Sequence, residues 1–130
     1  MKPITVQTKA RTEFIDITDA VQEFAQEQNL SDGVITVFVP HTTAGITINE
    51  NADPDVTADM ETVLDDLVPW SKDYRHMEGN TAAHVKASMM GSSAQVIVDS
   101  GRLCLGTWQS LYFCEFDGPR TRQIWLKESC

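Results

Sequence analysis

Ala94-Gln95-Val96-Ile97-Val98, the turn Asp99-Ser100-Gly101 and then Arg102-Leu103-Cys104-Leu105 mark the point where the chain changes character. Upstream of them helical and strand patterns mix. From Ala94 onward every segment reads as strand. Trp108 to Phe116 and Arg120 to Lys127 continue the series, separated by Asp117-Gly118-Pro119, a turn by its residue types. Strands in direct succession predict sequential pairing. With the helices clustered in the middle, the class is α+β rather than alternating α/β.

Reading backwards, Asn80 to Met90 is a short helix stopped by Gly91, with Asn80 a candidate N-cap. Asp53-Pro54 starts a longer helix, with Asp as cap and Pro at the first helical position. Val56, Met60, Val63, Leu64 and Leu67 follow at helical spacing and predict one buried face; Pro69 ends it. Ile46 to Asn49 is a short strand. Val34 to Val39 is a nearly continuous apolar, β-branched run, which predicts a central strand covered on both faces. Thr18 is read as the cap of a helix reaching to about Asn29, with Val21, Phe24 and Ala25 as its stripe. Ile4 to Thr8 and Thr12 to Ile17 are further strands. The sum is about seven or eight mostly antiparallel strands and two or three helices, in a single domain over residues 1–130.

Composition narrows the partners. The chain has 130 residues, 42% hydrophobic and 22% charged, enough to bury roughly two-thirds of its unfolded surface. The net charge is -9 and the basic residues are scattered apart from Arg120 and Arg122, so no nucleic-acid partner is expected. An acidic chain is also repelled by anionic membranes, and no run approaches the ~20 apolar residues of a membrane span. Met1 to Ala10 lacks the apolar core of a signal peptide. Cys104, Cys114 and Cys130 contain no C-x-x-C pair. Cys104 and Cys114 lie in apolar runs and are expected to be buried thiols, whereas Cys130 is expected to be exposed. Free thiols without an export signal place the chain in the cytoplasm.

The polar chemistry is concentrated in two stretches. His41, Thr42, Thr43 and Gly45 follow the buried run, where a strand end can face a cleft. Glu50 and Asn51 precede the Asp53-Pro54 helix start and can hold a metal or orient an anion. His76, Glu78, Asn80 and His84 form the densest cluster, with donor types that suit zinc, although the spacing is not H-E-x-x-H. His84 and Ser88 share one helix face. In the second stretch, Gln109 is a polar residue in an apolar strand and Trp108 is expected to be core. Arg120 and Arg122 share one strand face as a phosphate or carboxylate clamp, or as salt-bridge partners of Glu115 or Asp117. No P-loop, dinucleotide-binding glycine loop or nucleophile elbow is present.

The segment from His41-Thr42-Thr43-Ala44-Gly45 through Asn49-Glu50-Asn51-Ala52-Asp53-Pro54-Asp55-Val56 resembles the hallmark of the YjbQ family. The likeness continues through His76-x-Glu78-Gly79-Asn80, Ala83-His84-x-Lys86-x-Ser88, Gly106-Thr107-Trp108-Gln109 and Glu115-x-Asp117-Gly118-Pro119-Arg120-x-Arg122. The resemblance implies an α+β domain with a β-sandwich core, assembled as a homotrimer. It also implies a thiamine-phosphate-synthase-like transferase, joining hydroxymethylpyrimidine pyrophosphate to a thiazole phosphate with release of pyrophosphate. On that reading His41, His84 and Glu50 are catalytic. Thr42, Thr43, Asn51, Asn80, Lys86, Ser88, Gln109, Arg120 and Arg122 bind a small phosphorylated metabolite. His41, His76, His84 and Glu78 hold a divalent metal, zinc or magnesium. The alternatives are a metal-dependent hydrolase in the same pocket and a non-catalytic phosphometabolite-binding module.

Overall fold

Two antiparallel sheets face each other in the computed structural model, which describes residues 1–130. The elements in chain order are β1 (Lys2–Gln7), β2 (Glu13–Asp16), α1 (Thr18–Glu27), β3 (Gly33–Phe38), β4 (Ala44–Glu50), α2 (Pro54–Leu67), α3 (Thr81–Met90), β5 (Ser93–Asp99), β6 (Arg102–Leu103), β7 (Gln109–Glu115) and β8 (Thr121–Ser129). The larger sheet has the order β1-β8-β3-β5-β6 and the smaller β2-β7-β4. The α+β class and the strand and helix content agree with the sequence reading. Sequential pairing does not hold. Only β5 and β6 pair with their immediate neighbour in sequence, while β7 and β8 belong to different sheets. Turn residues reveal where a strand ends but not which sheet the next one joins.

The core between the sheets follows from period-two alternation. Ile35 and Val37 on β3, Val96 and Val98 on β5, and Ile124 and Leu126 on β8 meet Ala44 and Ile46 on β4 and Leu111 and Phe113 on β7. α1 closes one end with Val21, Phe24 and Ala25. β3 is central in its sheet but is not covered on both faces: Ile35 and Val37 are buried, while Val34 and Thr36 are half-exposed and Phe38 is exposed. β7 takes that role. Its second face, Tyr112 and Cys114, joins Phe116, Leu64 of α2, and Ala83 and Ala87 of α3 in a separate cluster. The molecule is therefore layered as sheet, sheet and helices.

Four local expectations need correction. Thr18 does not cap α1; its Oγ1 accepts the Leu111 N–H at 2.9 Å, while Asp16 Oδ1 accepts the Thr18 N–H at 2.9 Å. α2 starts as read, with Asp53 Oδ1 accepting the Asp55 N–H and Pro54 at the start. Of its apolar stripe, however, only Leu64 is buried, and Val63 and Leu67 are exposed. The helix meets β7 along a contact narrower than its apolar arc. Trp108 and Cys104 are exposed because the β6–β7 connection runs outside both sheets. Cys114 is buried, and burial pushes its thiol pKa up to about 12. No helix is long and apolar enough to cross a membrane.

Candidate functional site

At one end of the sandwich, charge replaces apolar side chains. The inward phase of β7 runs Leu111, Phe113, Glu115, and that of β8 runs Leu126, Ile124, Arg122. The two charges meet between the sheets, with side-chain exposures of 0% and 6%. Burying such groups costs several kcal/mol per ion unless their hydrogen-bonding capacity is filled. Glu115 accepts from Arg122 Nε at 2.7 Å, Arg122 Nη2, Thr8 Oγ1 at 3.0 Å and the Asp117 N–H at 3.0 Å. Arg122 Nη2 also donates to Thr43 Oγ1 at 2.8 Å. The buried pair thus pins the loop between β3 and β4, which carries His41, Thr42 and Thr43.

A second, more exposed tier lies above it. Arg120 donates from Nε to the Asp117 carbonyl at 2.8 Å and from Nη2 to Asp117 Oδ2 at 2.9 Å. Asp117 Oδ2 also accepts from Asn80 Nδ2 at 2.8 Å, and Asn80 Nδ2 donates to Glu78 Oε2 at 2.9 Å. Asn80 stands at the N-cap position of α3 but makes no capping bond; its Nδ2 donates to these carboxylates. Its Oδ1 is buried without a partner, as is Thr81 Oγ1. Both salt-bridge pairings read from the sequence form. Each guanidinium uses its Nε and Nη2 on protein groups, and Nη1 of each makes no hydrogen bond within the chain.

His41 continues the sheet beyond the end of β3. The β3–β8 ladder stops at Phe38 opposite Trp125. The Gln123 N–H then donates to His41 Nε2 at 2.9 Å. A neutral imidazole accepting at Nε2 carries its proton on Nδ1. Burial, and next the Arg122 guanidinium, hold the His41 pKa below its ordinary value, against the opposing pull of Glu115. His41 is thereby set up as a neutral hydrogen-bond donor.

α3 supplies the facing wall, and a glycine sets how close it comes. A Cβ at Gly45 would lie 2.7 Å from the Gly91 carbonyl oxygen and 3.0 Å from Met90 Cβ. The Ile46 N–H donates to that same carbonyl at 3.0 Å. With α3 drawn onto β4, the His84 and His76 rings stand edge to face, 5.4 Å apart and at 84°. Pro40, His41, Thr42, Thr43, His76, Glu78, Asn80, His84, Arg120 and Arg122 line a mostly polar cavity of about 390 Å³. Ser88, one turn beyond His84, donates its Oγ to the His84 carbonyl at 3.0 Å.

Four of the residues singled out from the sequence stand elsewhere. Glu50, Asn51 and Gln109 gather at the opposite end of β4. There Asn51 donates to Asp16 Oδ2 at 2.6 Å, Tyr112 Oη donates to Asn51 Oδ1 at 2.9 Å, and Gln109 Oε1 accepts the Gly106 N–H at 2.8 Å. Burial, and then Asp16 and Glu50, raise the Tyr112 pKa. Lys86 is buried and paired with Asp65 of α2, outside the histidine cavity. Glu115 is the site residue that the motif reading treated only as a salt-bridge partner. Its signal was a carboxylate on the inward phase of an apolar strand.

The four residues expected to hold a divalent metal, His41, His76, Glu78 and His84, all line the histidine cavity. No three of the His, Cys, Asp and Glu side chains stand together as a group able to hold an ion. His41 has its Nε2 engaged by Gln123.

Residues 2–129 match the family model described as UPF0047 protein YjbQ-like. The UPF0047 protein YugU of Bacillus subtilis (strain 168) is 56% identical over 98% of this chain and 97% of its own length. UPF0047 protein MJ1081 of Methanocaldococcus jannaschii is 46% identical over 94% and 88%. A crystal structure of an uncharacterized conserved YjbQ/UPF0047-family protein from Clostridium acetobutylicum superimposes with a TM-score of 0.97 at 53% identity, covering 99% of this chain and 100% of that one. These findings overturn the thiamine-phosphate-synthase expectation and give no support to the hydrolase alternative stated beside it. They establish an uncharacterised family and carry no link to thiamine phosphate synthases or hydrolases.

Proposed function

The chain belongs to the YjbQ-like UPF0047 family, and from its own geometry we propose that it is an enzyme acting by proton transfer on a small phosphorylated metabolite. The carrying observation is the pair of guanidiniums, each oriented by a carboxylate from behind and each with an unused Nη1, lining one cavity with three imidazoles. A guanidinium held in this way is preorganised for an oxyanion. Arg120, Arg122, the Thr42 and Thr43 hydroxyls and the Nδ1–H of His41 supply donors for the phosphate. His84, with His76 beside it, supplies the titratable imidazole, accepting a proton from the substrate and returning it to the product. His41 serves as a donor to the anion rather than as the base, because its Nε2 is already engaged.

The test is calorimetric titration of inorganic phosphate into wild type and Arg120→Ala. Losing one charge-assisted contact of about 1.5–3 kcal/mol lowers affinity roughly 10- to 100-fold. Arg120 is an exposed side chain with a surface ion pair, so the variant keeps its fold. Absence of phosphate binding by wild type, or unchanged affinity in the variant, overturns the reading.

The homotrimer that the resemblance implies is part of this proposal. Its support is the unburied apolar face of α2, where Val63 and Leu67 are 54% and 65% exposed. A face of this kind on a folded chain is a surface for association.

A further inference from the structure

The histidine cavity has a neighbour. A second space of about 460 Å³ opens on its other side, and His41, Thr42 and His84 line both. The two differ in chemistry. The first is mostly polar and contains both guanidiniums. The second is completed by Ala44, Ala87, Ser88, Gly91 and Ser92 and contains no charged side chain. Its volume exists because, beyond His84, the α3 residues facing it are small: Ala87 and Ser88 occupy positions where a longer side chain would reach across. Gly91 ends the helix with φ of 98° and has nothing within 4 Å of its Cβ position, so the chain turns away and leaves the space open.

We propose that this second space is the subsite for the organic part of the substrate, so that the enzyme is selective for a phosphate monoester carrying one compact, uncharged, partly polar group, about the size of a single ring or a pentose. The inference rests on the phosphate-site reading above and adds to it the group attached to the phosphate. With the phosphate against Arg120 and Arg122, the only wall shared by the two spaces is His41, Thr42 and His84. The ester linkage and the first atoms of the organic group therefore lie beside His84, the imidazole assigned to proton transfer. A space of this size falls within the usual range for small-molecule sites. Its uncharged lining rejects a second anionic group, since a charge placed there would lack a partner. Ala87, Ser88 and Ser92 are the specificity-determining positions.

Ser88→Phe and Ser92→Phe fill this space from exposed positions that the fold does not bury. Inorganic phosphate, methyl phosphate, phenyl phosphate and ribose 5-phosphate are titrated against wild type and both variants. The expected result is unchanged affinity for inorganic phosphate in at least one variant. In that same variant, affinity for the larger ester that wild type binds best falls at least tenfold, with methyl phosphate affected least. If phosphate binds but the larger esters bind no more tightly than phosphate, or bind equally well to wild type and both variants, the subsite assignment is overturned and the phosphate site stands. If wild type binds no phosphate, the phosphate site fails and this inference fails with it.

Discussion

Glu115 and Arg122 are charged and buried between the sheets, whereas Val63 and Leu67 are apolar and exposed on α2. Both regions depart from the usual distribution of residues, and they do so differently. In the first, the carboxylate accepts four hydrogen bonds and the guanidinium is fixed on one edge, so the departure is compensated within the chain. In the second, nothing within the chain covers the side chains. A compensated departure serves this subunit, here by holding Thr43 and aiming Arg122 at the cavity. An uncompensated one points to something beyond the subunit.

The sharpest way to break this contrast is to remove half of the buried pair. Arg122→Met leaves Glu115 charged and enclosed, with an expected loss of about 3–5 kcal/mol, read from the urea unfolding midpoint. Glu115→Leu combined with Arg122→Met removes both charges and is expected to restore most of that stability, because well-packed apolar replacements of buried pairs are often neutral. The double variant should nevertheless lose phosphate affinity, since Thr43 is no longer held and one guanidinium is gone. A single variant that costs less than about 1 kcal/mol would show that water reaches the pair and that burial is not what distinguishes it.

The other region gives a smaller effect on the fold and a larger one on assembly. Val63→Glu with Leu67→Lys replaces exposed residues, so the unfolding free energy of the isolated chain should change by no more than about 0.5 kcal/mol per site. Light scattering after gel filtration should show the mass falling to that of one 14.5 kDa chain. A drop in stability of several kcal/mol in a chain that is already a monomer would mean that α2 packs this face inward in solution.

Much of this contrast was legible in the sequence, but unevenly. Asp53-Pro54 and Gly91 marked helix ends by local chemistry, and the structure puts those ends where the sequence did. His41, His76 and His84 stand out in one stretch and Arg120 and Arg122 in another, and all five line one cavity. What failed was non-local. An apolar helical stripe predicts burial but not whether its partner lies in the same chain, so Val63 and Leu67 misled. A continuous apolar run predicts two covered faces, but α3 packs on β4 and β7, with Leu64 of α2 joining the same cluster, and β3 is left uncovered. Proximity in sequence and motif group Glu50 and Asn51 with the histidines and Gln109 with the arginines. β4 is extended and carries its two ends apart by about 3.4 Å per residue, which takes them to the far side of the sheet. Lys86 enters the site only through the motif it shares with His84, yet two residues apart on a helix the side chains turn to different faces.

His41 gives the smallest effect and links the buried pair to the cavity. Its folded pKa lies below the ordinary value of about 6.5, so between the folded and unfolded values the unfolded chain binds more protons. Stability then rises with pH across that window. The contribution is fully present above about pH 6.5 and is lost as pH falls through the folded pKa. Because burial is the leading cause and Arg122 the next, His41→Gln should remove this slope while leaving other titrations in place. The difference in urea midpoint between wild type and variant should be flat above about pH 7 and should shift against wild type at lower pH. A difference that is constant from about pH 5 to pH 8 would mean that the ring protonates as freely in the folded chain as in the unfolded one. The Gln123 N–H could not then be donating to a lone pair on Nε2, and His41 would return to the list of bases in the site.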